Sequence, residues 1–183
     1  MITLRKIAVT LLKRVGLSRE QDAAGSNKSP ADKMAALRRQ ALSSSPEKLG
    51  LIPTQEFPRV YGVLIEFPVA EVTVTIVSFC HGSASLYSTS SFGVIGGGSH
   101  DAVAAAAVRL VAAADPFFDQ ASPTTTYPYP AMGKVRFYFV SFGGVRVAEA
   151  DFAAVEADQS PYSKLFWVGQ EVMAQLRLIV QGR

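Results

Sequence analysis

The sequence predicts an α+β fold, an antiparallel five-stranded sheet in the order β-β-β-α-β-β-α, preceded by N-terminal helices. Three observations carry that prediction. Alternating or β-branched runs fill residues 59–91 and 134–150. A run of small residues, DAVAAAAVRLVAAAD, separates them at 101–115 and has helical composition. Apolar residues then recur at three- and four-residue steps from Tyr162 through Leu165, Phe166, Val172, Met173 and Leu176 to Ile179, marking an amphipathic helix. The chain has 183 residues, which suits one domain plus an appendage. Its 49% hydrophobic and 18% charged content excludes a wholly disordered chain.

The elements follow in order. ITLRKIAVTLLKRVG carries Leu4, Ile7, Ala8, Leu11 and Val15 at helical spacing, and Gly16 ends the pattern. Residues 20–29 have no periodicity and read as a linker. Ser29-Pro30-Ala31-Asp32 starts a second helix, with Ser29 as cap, proline in the first turn and an acid at the positive end of the dipole. Met34, Leu37 and Ala41 form its apolar face, and Arg38 and Arg39 are placed elsewhere on it. Three prolines in 46–58 predict extended chain leading to the body.

RVYGVLIEF is the first strand. EVTVTIVSFC is the second, with Val72, Val74, Ile76 and Ser78 on one side and Thr73, Thr75, Val77 and Phe79 on the other, a pattern expected of a strand with one well-buried face. His81-Gly82-Ser83 turns into the polar third strand, SASLYSTSS, expected near a sheet edge. Gly96, Gly97 and Gly98 lead into the alanine-rich helix, with Ser99 as its expected cap and Asp101 in its first turn. Residues 119–133, with three prolines, form a long connection. KVRFYFVSF, the Gly143-Gly144 turn and VRVAEA make the last hairpin. Asp151 caps a short helical turn, and Ser160-Pro161 opens the final helix.

Charge divides the chain unevenly. Residues 1–50 hold ten Lys and Arg against four Asp and Glu, net +6, whereas 51–183 are net −3. The organisation read from this is a basic helical N-terminal arm and linker over 1–50 and a single α+β domain over 51–183. Arg5, Lys6, Lys13, Arg14 and Arg19 precede the first acid, Glu20, so the arm can pack on the body, enter a partner groove or lie on an anionic membrane surface. The apolar run IAVTLL is too short for a signal peptide, and no run reaches the ~20 residues that span a bilayer. A cytoplasmic protein, peripheral at the membrane if the arm binds lipid, is expected. The body's negative charge and the arm's lack of aromatics argue against nucleic-acid binding.

Candidate chemistry is sparse. GVIGGGSH lacks the lysine of a phosphate-binding P-loop, so Gly96, Gly97, Gly98 and Ser99 read as a structural turn, with a ligand or partner contact as the alternative. Cys80, His81 and His100 are the candidates for a nucleophile and its base, but adjacent strand residues point to opposite faces, so His81 is poorly placed to activate Cys80. The two histidines lack metal-site spacing, and one cysteine makes neither a disulfide nor a Cys-rich zinc site; no metal or cofactor is expected. Glu66, among strand hydrophobics, is assigned to the solvent face or the strand end, with a perturbed acid as the alternative. Tyr127 and Tyr129, in the long connection, are candidate partner-binding residues.

Over residues 59–180 the element order resembles the profilin-like domains, notably the longin and roadblock groups. The resemblance implies an antiparallel sheet between helices and a mostly noncatalytic role in dimerisation or in binding other proteins. The expected function is therefore a noncatalytic interaction or scaffold module that binds a protein partner or itself. A membrane-associated protein anchored by the arm, or a small enzyme with its site near the Gly-rich turn, are the alternatives.

Overall fold

The computed structural model describes residues 29–90 and 92–181. Helix α1 (Pro30–Leu42) precedes strands β1 (Val60–Val69), β2 (Val72–Phe79), β3 (Ala84–Ser88) and β4 (Gly93–Val94). Helix α2 (Asp101–Ala112) leads to strands β5 (Ser122–Pro123), β6 (Lys134–Ser141) and β7 (Gly144–Asp151), then to the short helix α3 (Phe152–Glu156) and helix α4 (Ser163–Gln181). The α+β class and the antiparallel sheet stand, but the sheet has seven strands where five were expected, in the order β4-β3-β2-β1-β6-β7-β5. The two additions are two residues each: β4 sets Gly93 and Val94 opposite Tyr87 and Leu86, and β5 sets Ser122 and Pro123 opposite Val147 and Arg146. A two-residue strand is too short to carry an alternation, so its pairing comes from the segments around it and not from its own sequence.

Strand β1 is central and nearly all buried, because both faces of the sheet are covered. On one face Val63, Ile65, Phe67 and Ile76 pack with Leu110 of α2 and Leu165, Phe166 and Leu176 of α4. On the other, Tyr61, Leu64, Val77, Tyr138 and Val140 pack with Ala41 and Leu42 of α1. A register shift opposite β6, between Val60 and Gly62, lets Val60 share the first face with Val63. The single well-buried face expected for β2 is thus corrected: Val74 and Ile76 are buried on one side, and Thr75 and Val77 on the other. The second cover is α1, whose residues fall in the charge-defined arm segment yet lie against the sheet.

Local chemistry sets the helix starts. Asp32 N–H donates to Ser29 Oγ at 3.2 Å, and Ser29 N–H donates back to Asp32 Oδ2 at 3.2 Å, closing a capping box on α1. At the far end of α1, Tyr61 Oη donates to Ser44 O at 2.7 Å and ties the helix exit to β1. The expected cap of α2 is corrected: its N-cap is His100, without a side-chain bond, and Ser99 Oγ donates instead to Gly96 O at 3.3 Å. Helix α4 begins at Ser163, and Ser160 Oγ accepts from Tyr162 N–H at 3.2 Å just ahead of it. Among the described residues no helix is long and apolar enough to cross a membrane.

Candidate functional site

The α1 face of the sheet holds a buried polar cluster. Glu66 is 0% exposed in β1, flanked by Thr75 of β2 and Arg136 of β6. Its Oε2 accepts from Arg38 Nη2 at 2.8 Å, and its Oε1 accepts from Arg38 Nε and, at 2.9 Å, from Thr75 Oγ1. Arg38 Nη1 donates to Tyr127 O at 2.9 Å, and the guanidinium lies 4.1 Å from the centroid of the Tyr129 ring. Burial opposes the charge on Arg38, yet the hydrogen bond and the charge of Glu66 outweigh it and hold its pKa above the ordinary value.

This cluster corrects two readings. Glu66 is neither on a solvent face nor at a strand end, and Arg38 lies on the apolar face of α1. The helical period already puts Arg38 there, four residues after Met34 and four before Leu42. The burial of Glu66 was also foreshadowed, because VLIEFPV is apolar at both odd and even positions, as in a strand covered on both sides. A carboxylate in such a strand requires a buried cation.

The long connection is fixed to the same cluster. Pro128 O accepts from Tyr138 Oη at 2.6 Å and from Arg136 Nη1 at 2.9 Å, while Arg136 Nε pairs with Glu149 at 2.6 Å. Tyr127 is half-buried, edge-on to Tyr138 with centroids 5.9 Å apart. Tyr129 is 37% exposed, with Arg38 against its ring. Both candidate tyrosines therefore help to hold the loop on the sheet. Met132, near the loop's end, is 80% exposed.

Beside this cluster a groove of about 260 Å³ runs between α1 and β3. Leu37, Gln40, Ala41 and Ser44 of α1 and its exit form one wall, and Leu49 continues it. Val77, Phe79 and Tyr87 are the apolar floor, and Ile95 and His81 stand at the rim. Among the described residues, none that lines it carries a carboxylate, an ammonium or a guanidinium. Leu49 and Ile95 are 39% and 58% exposed, so the groove joins apolar surface already open to solvent. A second, shallower depression of about 640 Å³ lies against Lys164, Trp167 and Glu171. Two of its side chains are partnered: Trp167 Nε1 donates to Asp158 at 2.8 Å, and Glu171 pairs with Arg109 of α2.

The Gly-rich turn sits at the groove's end and is tightly packed. Gly96 has φ +75°. A Cβ on Gly97 would collide with Leu176, and one on Gly98 would meet Gly82 O at 2.9 Å and Ser83 Cα at 3.0 Å. Ser99 is exposed. Cys80 is half-buried, and burial pushes its thiol pKa up. The His81 ring stacks on Phe79 at 5.7 Å, and desolvation there lowers its pKa. His100 is exposed at the start of α2. Among the described residues neither imidazole hydrogen-bonds Cys80, and no three His, Cys, Asp or Glu side chains gather as a metal site. Arg5, Lys6, Lys13, Arg14 and Arg19 lie outside the described residues.

Comparison with protein-family models, with curated proteins and with solved structures found no match for this chain.

Proposed function

We propose that the protein is a noncatalytic interaction module with a profilin-like arrangement, which takes apolar side chains of a protein partner into the α1–β3 groove. The observation that carries this reading is the apolar floor of the groove, Val77, Phe79 and Tyr87, with Leu49 and Ile95 exposed at its edge. Its volume of about 260 Å³ falls below the roughly 300–1,000 Å³ of drug-sized ligand sites, which favours inserted side chains over a small molecule. The raised thiol pKa of Cys80 runs against a nucleophile and for a packing role. The buried charges of Arg38 and Glu66 are consumed by internal bonds, which fix the helix that forms the groove wall. The test is cross-linked capture from native extract with three full-length baits: wild type, Ile95→Asp and Met132→Asp. A partner held by wild type and Met132→Asp but lost from Ile95→Asp supports the reading. Equal capture by all three, or loss only from Met132→Asp, overturns it.

A second reading rests on the arm's five basic residues ahead of any acid. They attach a cytoplasmic protein peripherally to anionic lipid. Flotation with phosphatidylserine vesicles tests it: wild type floats, and a variant with Arg5, Lys6, Lys13 and Arg14 changed to Glu stays down. Equal behaviour removes the reading. Self-association through the outer edge of β3 has to displace β4, which already pairs with Leu86 and Tyr87. Light scattering that reports a strict monomer excludes it.

A further inference from the structure

We infer that the partner side chain seated in the α1–β3 groove is a tyrosine, with its ring on the apolar floor and its hydroxyl among the free polar groups of the lining. The inference deepens the functional reading and rests on the groove being a docking surface for a protein partner.

The first argument is charge. Among the described residues the lining holds no carboxylate, ammonium or guanidinium, so a charged side chain that enters loses water and gains no counter-charge. The anchors that dominate protein interfaces are tryptophan, tyrosine and arginine, seated in desolvated pockets. An uncharged lining disfavours arginine and leaves the two aromatics. The volume of about 260 Å³ suits one such side chain.

The second argument is the floor. Phe79 and Tyr87 bring rings to it beside Val77. Tyr61, Phe79 and His81 form a stacked row, with centroids 6.3 Å and then 5.7 Å apart. The row is buried at Tyr61 and Phe79 and ends in exposed His81 at the groove. A ring set against such rings gains about twofold to tenfold in affinity beyond its area burial.

The third argument sorts the polar lining groups. Ser44 Oγ is spent on Ala41 O at 2.8 Å and Gln40 O at 3.0 Å, and the Ser85 and Tyr87 hydroxyls are paired. The Gln40 amide, the His81 imidazole and the Ser83 hydroxyl are left, and among the described residues none of these three side chains makes a hydrogen bond. Desolvation lowers the His81 pKa, so at neutral pH the imidazole is uncharged and has one donor and one acceptor nitrogen. The free groups therefore offer both donors and acceptors. A phenol hydroxyl donates and accepts, whereas an indole N–H only donates. This difference selects tyrosine over tryptophan.

The test is amide NMR titration of the full chain at pH 7.5 with small molecules that stand for side chains. These are 4-methylphenol for tyrosine, toluene for phenylalanine, 3-methylindole for tryptophan, and 4-methylcyclohexanol for a hydroxyl on a saturated ring. The expected result is that 4-methylphenol shifts the Gln40, His81, Ser85 and Ile95 amides and leaves Glu149 and Trp167 unmoved. It binds about threefold or more tighter than toluene and 4-methylcyclohexanol, and tighter than 3-methylindole. The variant Gln40→Met/His81→Phe changes two exposed residues, keeps a ring against Phe79, and brings 4-methylphenol and toluene within about twofold of each other. Unmoved Glu149 and Trp167 amides in that variant confirm its fold.

Equal binding of toluene and 4-methylphenol to wild type overturns the inference, as does a preference that survives in the double variant. Equal binding of 4-methylcyclohexanol overturns it in favour of an aliphatic occupant, and tightest binding of 3-methylindole overturns it in favour of tryptophan. Groove amides that respond to none of the four also overturn it. Capture that depends on Ile95, together with any of these results, defeats this inference alone. The expected order of binding, with capture indifferent to Ile95, defeats the partner reading alone.

Discussion

Removing Glu66 is predicted to cost far more than its place on a strand suggests. The carboxylate is fully buried and accepts three hydrogen bonds, two from Arg38 and one from Thr75. Glu66→Ala leaves a guanidinium that is 5% exposed without its counter-charge, a loss of about 3–5 kcal/mol. Arg38→Met leaves the carboxylate with Thr75 alone and removes the donor from Tyr127 O, a loss of similar size, about 3–5 kcal/mol. The double variant Arg38→Met/Glu66→Ala removes both charges, and a paired replacement of this kind is close to neutral apart from orphaned groups. Tyr127 O and Thr75 Oγ1 remain, at about 1–3 kcal/mol in total. The singles therefore exceed the double, and the coupling is about 3 kcal/mol or more. Urea unfolding of the full chain, followed by Trp167 fluorescence and by circular dichroism, reads this. With a slope of about 2 kcal/mol per molar urea, each single variant lowers the midpoint by about 1.5–2.5 M. The exposed Lys134–Asp151 pair is the control, and its removal leaves the midpoint nearly unchanged. Additive losses, or a Glu66→Ala loss below about 1 kcal/mol, refute the buried pair as the anchor of α1.

Further outcomes follow from packing and titration. Gly97→Val drives a side chain into Leu176 and Val103, and lowers stability by about 1–3 kcal/mol in thermal unfolding; an unchanged midpoint contradicts the packed turn. Burial, with the negative charges of Glu47 and Cys80, pushes the Tyr61 hydroxyl up to about 12. An unfolded tyrosine titrates near 10, so the folded state keeps its proton longer: stability is whole below about pH 10 and falls as pH rises toward 12. Tyr61→Phe makes that fall shallower, and equal slopes between pH 9 and 11.5 argue against the buried phenol. Half-buried Cys80, its thiol pKa raised by desolvation, reacts slowly with a disulfide reagent at pH 7.5 in the folded chain and at the unstructured-thiol rate in urea. Fast labelling in buffer contradicts this placement.

The long elements were legible because their periods are long enough to count. Strand β2, the Gly143-Gly144 hairpin and the Ser29 start of α1 appear where composition put them, although β2 is buried on both sides. Strands β4 and β5 were not legible, since two residues hold no period, and β5 in addition pairs with Arg146 and Val147, far along the chain. The polar cluster was half legible. Glu66 in a doubly apolar strand and Arg38 on the Met34–Leu42 stripe each signalled burial, but Arg38 and Glu66 lie 28 positions apart, so no local pattern joins them. The groove was invisible in sequence because it forms only where α1 crosses beside β3. Its exposed residues, Leu49 and Ile95, lie in connecting segments that no periodicity marks.

The central claim is that the α1–β3 groove is the surface with which this protein works. Calorimetric titration of the captured partner, purified, into wild type, Ile95→Asp and Met132→Asp tests it most directly. The account predicts at least a tenfold loss of affinity for Ile95→Asp and none for Met132→Asp. Equal affinity for wild type and Ile95→Asp, with the loss falling on Met132→Asp, contradicts it and moves the working surface to the proline-rich loop.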